Sequence, residues 1–484
     1  MVRPANKHGL PPASEICRMP ATALVAAIKA RSLSAREVMA AFLDRIEAAN
    51  PAVNAIVSLR GRSELLAEAE VADAAVARGE ADGRLFGLPV AIKDLALTRG
   101  LTTTFGSPIF ADFVPDEDEF FVERMRADGA IVIGKTNTPE FGLGSHTYNP
   151  VFGTTRNAFD PALSAGGSSG GAAVALALDM VPVADGSDFG GSLRNPAGWN
   201  NVFGLRPSQG RVPAGPMNEA WLSQIGIEGP MARTVRDLAL LLDVQAGYDP
   251  RAPLSLDTTG SFLAGLEQPA SRGAIAWLGD AGGHLPMQDG VREVCGQALG
   301  RLERAGFDIE LCVPEFDLEA LWQAFVTLRH STSGVGLKAH YDDPAKRRML
   351  KPEAIFEVEG ALNLTAPQVY AASTVRTAWH QTVLRLFERF DFLALPTAQI
   401  FPFDVSMTWP QEIAGRAMTS YHRWLEVSMF ASLAGCPAVA VPAGFDREGR
   451  AMGLQLIGPP RGDLACLRVA ARYEAELEWK PGAA

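Results

Sequence analysis

Cysteine and histidine are both scarce in this chain of 484 residues, five of the first and seven of the second. Cys17, Cys295, Cys312, Cys436 and Cys466 are odd in number, widely scattered and free of C-x-x-C spacing, which argues against a disulfide framework and fits a reducing cytoplasm. Basic residues are outnumbered, 44 Lys plus Arg against 55 Asp plus Glu for a net charge of −11. A nucleic-acid partner relies on a basic surface and is therefore not expected. No run approaches the ~18 to 20 apolar residues of a membrane span, and the first twenty residues lack the apolar core of a secretory signal. A protein with no membrane attachment, working in the cytoplasm, is the expectation.

What is present is ordinary globular composition, 47% hydrophobic and 20% charged. Between Ser34 and Ala49 a capping-box pair, Ser34 and Glu37, precedes apolar residues at Val38, Met39, Phe42, Leu43 and Ile46, the pattern of an amphipathic helix. Strand-like runs at 88–92, 130–134 and 181–184 alternate with helix-length segments, and two more follow at 392–396 and 438–442. This alternation predicts an α/β protein. Residues 285–390 read as mostly helical, and no linker divides the chain. The expected organisation is one domain over 1–484, with a core from about 60–240 and 390–484 and a helical variable region over about 285–390.

Two motifs mislead. Gly129 to Thr136, "GAIVIGKT", satisfies the phosphate-loop formula, but "AIVI" is a buried-strand sequence and Pro139 follows where a helix is required. Gly166 to Gly170, "GGSSG", fits the G-x-S-x-G nucleophile elbow, yet "NAFDPALSA" before it carries no strand signal. An elbow also needs a downstream histidine, and His284, His330, His340, His380 and His422 all lie in undistinguished settings.

The stretch from Ser164 to Pro196 sets two Ser/Gly clusters around an apolar segment. If "GAAVALALDM" is a helix it travels about 15 Å from the first cluster. If "VPVAD" is a strand it returns about 16 Å. Ser168 and Ser192 are therefore expected to meet at one edge of a sheet. In "DFGGS" the absence of Cβ atoms lets successive backbone N–H groups converge on a negative oxygen. The candidate base is Lys93, which closes the apolar "GLPVAIKDLAL"; burial lowers a lysine pKa, and a neutral amine accepts a proton. Its bland alternative is a strand-end lysine paired with Asp94.

These residues carry a resemblance. "AGGSSGGAAVALAL" followed by "GSDFGGSLRNPAGWNNVFGLRPS" resembles the signature of the amidase signature family, and "GLPVAIKD", "GKTNTPEFG", "NPVFGTTRNAFDP", "LPTA", "LAGCPAVAVPAG" and "GLQLIG" follow in the family's order along nearly the whole chain. The resemblance implies an α/β/α fold around a large mixed twisted sheet and a Ser-cisSer-Lys triad. Lys93 falls on its base, Ser168 on its bridging serine, with the peptide bond entering it cis, and Ser192 on its nucleophile. It further implies oxyanion donors at the backbone N–H groups of Phe189, Gly190, Gly191 and Ser192, loop support from Asp188 and Arg194, an acyl-enzyme, and no metal or organic cofactor. Phe189 departs from the family, where Thr is common.

For substrate, the resemblance implies a pocket wall at Phe141, Gly142, Leu143 and Gly144, and Leu143, Tyr148, Phe189 and Trp199 suggest an apolar or aryl-accepting pocket. Hydrolysis of small to medium, hydrophobic or aryl amides is the expectation, with anilides, amino-acid amides, nylon-type oligomers, esters and carbamates all open, by a monomer or homodimer. The family also contains the amidase subunit of a tRNA-dependent amidotransferase. Against that alternative, the stretch after 340 lacks the tyrosine-rich block associated with that subunit. A catalytically silent scaffold has no need of Lys93, Ser168 and Ser192 together.

Overall fold

Eleven strands form two ladders that meet edge to edge in the computed structural model, which describes residues 7–477 apart from positions 259, 269 and 271. The start of the chain that was read for a secretory signal lies partly outside the described residues. In chain order these strands are β1 (Ile56–Val57), β2 (Pro89–Lys93), β3 (Ile131–Thr136), β4 (Val183–Asp188), β5 (Phe203–Arg206) and β6 (Ile227–Ala232). They continue with β7 (Gly273–Trp277), β8 (Phe307–Leu311), β9 (Phe392–Pro396), β10 (Ala438–Phe445) and β11 (Ala451–Ile457). The larger ladder is a mixed sheet of eight strands in the order β8-β7-β9-β11-β10-β5-β6-β4, and the smaller is β1-β3-β2. All of β11 and the first six residues of β10 are buried. Uninterrupted burial of a strand means both faces of the sheet are covered, as the α/β/α reading requires.

The seam between the ladders runs between β2 and β4. No backbone pairing joins them there; the Lys93 N–H donates instead to both oxygens of Asp185, at 3.1 and 3.2 Å. A side-chain carboxylate thus substitutes for a rung of the ladder.

Local sequence accounts for several of these elements. The helix Ala35–Val53 starts where expected: Ser34 accepts the Glu37 N–H and the Glu37 carboxylate accepts the Ser34 N–H, a complete capping box. "GAIVIGKT" folds as β3, not as a phosphate loop, and Lys135 is buried, donating to the Ala96 carbonyl at 2.6 Å and Thr98 Oγ1 at 2.7 Å. One element departs from the helical reading of 285–390. "FDIEL" forms β8, the outer strand beside β7. It is half exposed, and the short apolar-polar alternation was outweighed by the strong helical pattern before it, which forms Val291–Arg304. The remainder is helical, with Leu318–Arg329, Pro352–Leu362 and Ala366–Phe387 as its main members.

Candidate active site

Lys93 ends β2 in a strand whose five residues are all buried, so its side chain has no route to solvent. Its Nζ donates to three hydroxyls, Ser168 at 2.8 Å, Ser169 at 2.9 Å and Ser187 at 2.8 Å. No carboxylate bonds to Nζ among the described residues. Asp94, the alternative partner, is turned away and accepts from the Thr104 N–H at 3.0 Å and Oγ1 at 2.5 Å. Burial pushes the Lys93 ammonium down to about 8, against the opposing charges of Glu228, Asp185 and Asp188. Burial pushes the Glu228 carboxyl well up, and Glu119 beside it adds to the rise. The low-dielectric seam favours the uncharged forms of both groups.

Ser168 and Ser169 precede the helix Gly170–Ala177, which is buried along its whole length and carries the chain away from the site. β4 brings it back, and the two Ser/Gly loops touch: the Ser169 N–H donates to the Ser192 carbonyl at 3.2 Å. The Gly167–Ser168 peptide is cis. Ser192 Oγ makes no hydrogen bond among the described residues and opens into a cleft. Ser168 Oγ and Ser192 Oγ share no hydrogen bond among the described residues; catalytic hydrogen bonds commonly close only around substrate.

The Ser192 loop is clasped from behind. Asp188 accepts from Arg194 Nη2 at 2.9 Å and Nε at 3.0 Å, and from Arg206 Nη1 at 3.2 Å. Burial works to raise the Asp188 carboxyl, but Arg194 and Arg206 overcome it and hold it far below the usual range. Arg194 continues to Gln455 Oε1 at 2.6 Å, Ser432 Oγ at 2.9 Å and the Ser428 carbonyl at 2.8 Å. Glycine is required at Gly191, where φ is +105° and a Cβ would stand 2.7 Å from Ser428 Oγ; a Cβ on Gly190 would meet the flexible end of Met429, Cε at 2.8 Å.

Asp188 also settles which loop amides are free. The Gly191 N–H, expected among the oxyanion donors, is committed to Asp188 Oδ1 at 2.8 Å, because the carboxylate sits beneath the turn and draws donors from every side. The N–H groups of Phe189, Gly190 and Ser192 have no acceptor among the described residues.

The cleft over Ser192 is narrow and is lined by Gly142, Gly144, Ser145 and Gly190 on the loop side, and by Phe325, Arg329, Tyr421, His422, Leu425 and Met429 opposite. Of the pocket residues expected from sequence, Gly142 and Gly144 are there. Leu143 turns the other way into a cluster with Leu337, Leu350 and Val358. Trp199 is fully buried, stacked on Trp424 at 5.5 Å. Tyr148 donates to Glu353 at 2.8 Å, and Phe141 stacks on His340 at 6.2 Å. None of these four lines the cleft; aromatic and aliphatic residues beside a functional loop were serving the core that supports it. Nor does any of the five candidate histidines bond to Ser168, Ser169 or Ser192 among the described residues. His284 bonds Glu426, His330 bonds Glu357, His380 the Ala434 carbonyl and His422 Ser420.

Sequence reasoning missed Asp185, Ser187, Glu228, Arg329 and Glu357. Asp185 and Ser187 had a signal, since alternate residues of a strand share a face and Ser187 lies two beyond Asp185.

A family model described as Amidase matches residues 37–467, and the chain belongs to the amidase signature family. It is an amidase, a hydrolase of carbon–nitrogen bonds. An acylamidase of Rhodococcus erythropolis is 33% identical over 470 residues, covering 95% of each chain. One subunit of the glutamyl-tRNA(Gln) amidotransferase of Thermus thermophilus is 37% identical over 471 residues, covering 91% of this chain and 94% of its own. The crystal structure of a bacterial aryl acylamidase of the same family superposes with a TM-score of 0.90 at 29% identity, covering 96% of this chain and 98% of that one. No helix among the described residues is long and apolar enough to cross a membrane.

Proposed function

We propose that this amidase hydrolyses small to medium, largely apolar or aryl amides through an acyl-enzyme on Ser192, with Lys93 as general base and Ser168 as the relay between them. The observation that carries the reading is the Lys93 ammonium, buried and held only by hydroxyls, with its pKa brought down to about 8. A carboxylate partner would keep it charged; three hydroxyls serve the neutral amine equally well, one donating and two accepting. The Ser192 proton passes to Ser168 as the Ser168 proton passes to Lys93. Ser192 Oγ bonds to the amide carbonyl carbon, and the tetrahedral oxygen is received by the free N–H groups of Phe189, Gly190 and Ser192. As the C–N bond breaks, Ser168 protonates the departing nitrogen and is reprotonated from Lys93. Water repeats the sequence on the acyl-enzyme and releases the acid. Asp188 and Arg194 hold the loop in register throughout.

The likeness to an aryl acylamidase structure and the apolar side of the cleft, Phe325, Leu425 and Met429, support the substrate class. The test is a fluorophosphonate probe followed by peptide mapping, with an anilide turnover assay alongside. The expected adduct is on Ser192 and is abolished by Lys93→Ala; an adduct on Ser168 or Ser169, or none, overturns the assignment.

A second reading, the glutamine-hydrolysing subunit of an amidotransferase, is favoured by the 37% identity to the Thermus protein. Turnover of aryl amides by the isolated chain with glutamine ignored removes it.

A further inference from the structure

The cleft wall opposite Ser192 contains a guanidinium with unused donors. Arg329 closes the helix Leu318–Arg329, and Phe325 lies one turn before it on the same face. That face lies over the nucleophile loop: Phe325 packs against Gly190, and the Arg329 guanidinium sits 4.8 Å above the Phe189 ring. The residue that departs from the family's usual Thr is thus the platform on which this arginine rests. Arg329 Nε donates to Glu357 Oε1 at 2.9 Å and to Tyr421 Oη at 3.1 Å. Nη1 and Nη2 make no hydrogen bond among the described residues, although the side chain is only 8% exposed. A second group lies on the same wall: His422 Nε2 is buried without a hydrogen-bond partner, 3.7 Å from Glu357 Oε1. Its Nδ1 is 2.8 Å from Ser420 Oγ.

Buried polar groups without hydrogen-bond partners, such as His422 Nε2, are rare in folded proteins, and the Arg329 Nη groups beside it line the cleft with their donors free. Here Glu357 fixes the guanidinium by its Nε edge, with His330 Nδ1 on the other Glu357 oxygen at 2.7 Å. Both Nη groups remain as a rigid pair of parallel donors, the geometry that a carboxylate meets with two hydrogen bonds. A neutral carbonyl lacks both the second oxygen and the charge that make such a pair strong. The aromatic floor keeps water from screening such a contact.

We propose that the amide substrate carries a carboxylate, and that Arg329, seated on Phe189 and assisted by His422 Nε2, holds it while the amide lies at Ser192. The inference rests on Ser192 being the nucleophile and narrows the apolar amides of that reading to those with one anionic end. Arg329 is then a specificity-determining residue in contact with substrate, and Glu357 a positioning residue behind it.

Two substrate pairs test the proposal on the native enzyme. One places the charge on the acyl side, glutaranilic acid against its neutral carboxamide. The other places it on the amine side, the anilide of 4-aminobenzoate against the unsubstituted anilide. The expected result is a kcat/KM at least tenfold higher for the anionic member of one pair, carried mainly in KM. Equal or lower values for the anionic member in both pairs overturn it. In Arg329→Lys, which keeps the charge beside Glu357 but loses the fork, the preference falls at least tenfold; an equal fall for both members of the pair overturns the recognition role and leaves a structural one. If Arg329→Lys fails to fold, protection supplies the measurement: glutarate slows fluorophosphonate labelling of native Ser192 and neutral glutaramide does not, and equal rates with both overturn the proposal. Labelling of Ser192 without any preference for the anion sinks this inference alone, whereas absence of labelling sinks the assignment of the nucleophile.

Discussion

The two sides of the cleft are built on opposite plans. On the sheet side, chemistry comes from strand ends and glycine loops: Lys93 at the end of β2, Ser168 before a buried helix, Ser192 after β4, all fixed by backbone and by groups with almost no exposure. On the helical side, long side chains reach inward from separate segments and meet only in space, Arg329 and His330 from one helical run with Glu357 from another and Tyr421 from a turn. The first plan fixes where atoms react, because a sheet edge has few degrees of freedom. The second leaves the identity of the ligand to side chains that are exchangeable without disturbing the strands.

The sharpest break in this comparison comes from the sheet side. Ser192→Ala is expected to lower anilide turnover by at least about 10⁴-fold, as removal of a nucleophile does in serine hydrolases, with an unchanged unfolding midpoint; residual turnover within tenfold of native contradicts it. Next in size is the clasp. Asp188→Ala leaves Arg194 and Arg206 buried without their counter-charge and is expected to cost about 3 to 5 kcal/mol in urea unfolding. The pH dependence follows. On the proposed mechanism the working form of Lys93 is neutral, and its pKa is lowered to about 8, so kcat/KM is expected to fall about tenfold per unit as pH drops below about 8 and to level off above it. A limb near pH 6.5 instead points to a histidine. Smallest is the helical side's surface: Glu359, which meets Arg347 at 3.4 Å with both side chains about half exposed, is expected to lose less than about 1 kcal/mol on change to Gln.

The contrast also explains what could be read in advance. The approach of the two Ser/Gly loops followed from the matched lengths of the helix out and the strand back, because element rises are constants of the backbone. Lys93 stood out because apolar neighbours on both sides flank a single charged pair. The capping box at Ser34 and Glu37 is a local device and was equally legible. Arg329 and Glu357 are 28 residues apart on different helices, and neither has a neighbour that distinguishes it from a surface residue. Leu143 and Trp199 were drawn toward the pocket by their apolar character, which is the same property that places them in the core. The commitment of the Gly191 amide to Asp188 had no signal either, since it depends on which way one carboxylate faces under the turn.

The seam at Asp185 has a consequence for how this protein fails. Lys93 stands on the smaller ladder and Ser187 on the larger, joined across β2 and β4 by the Asp185 carboxylate and by the Lys93–Ser187 hydrogen bond. Slippage of one ladder against the other is expected to disturb the hydroxyl set around Lys93, the proposed base, while every strand keeps its own partners. Local openings of this kind require less free energy than global unfolding. On warming, catalysis is therefore lost at a lower temperature than secondary structure, and returns on cooling: the machine disengages before the scaffold melts.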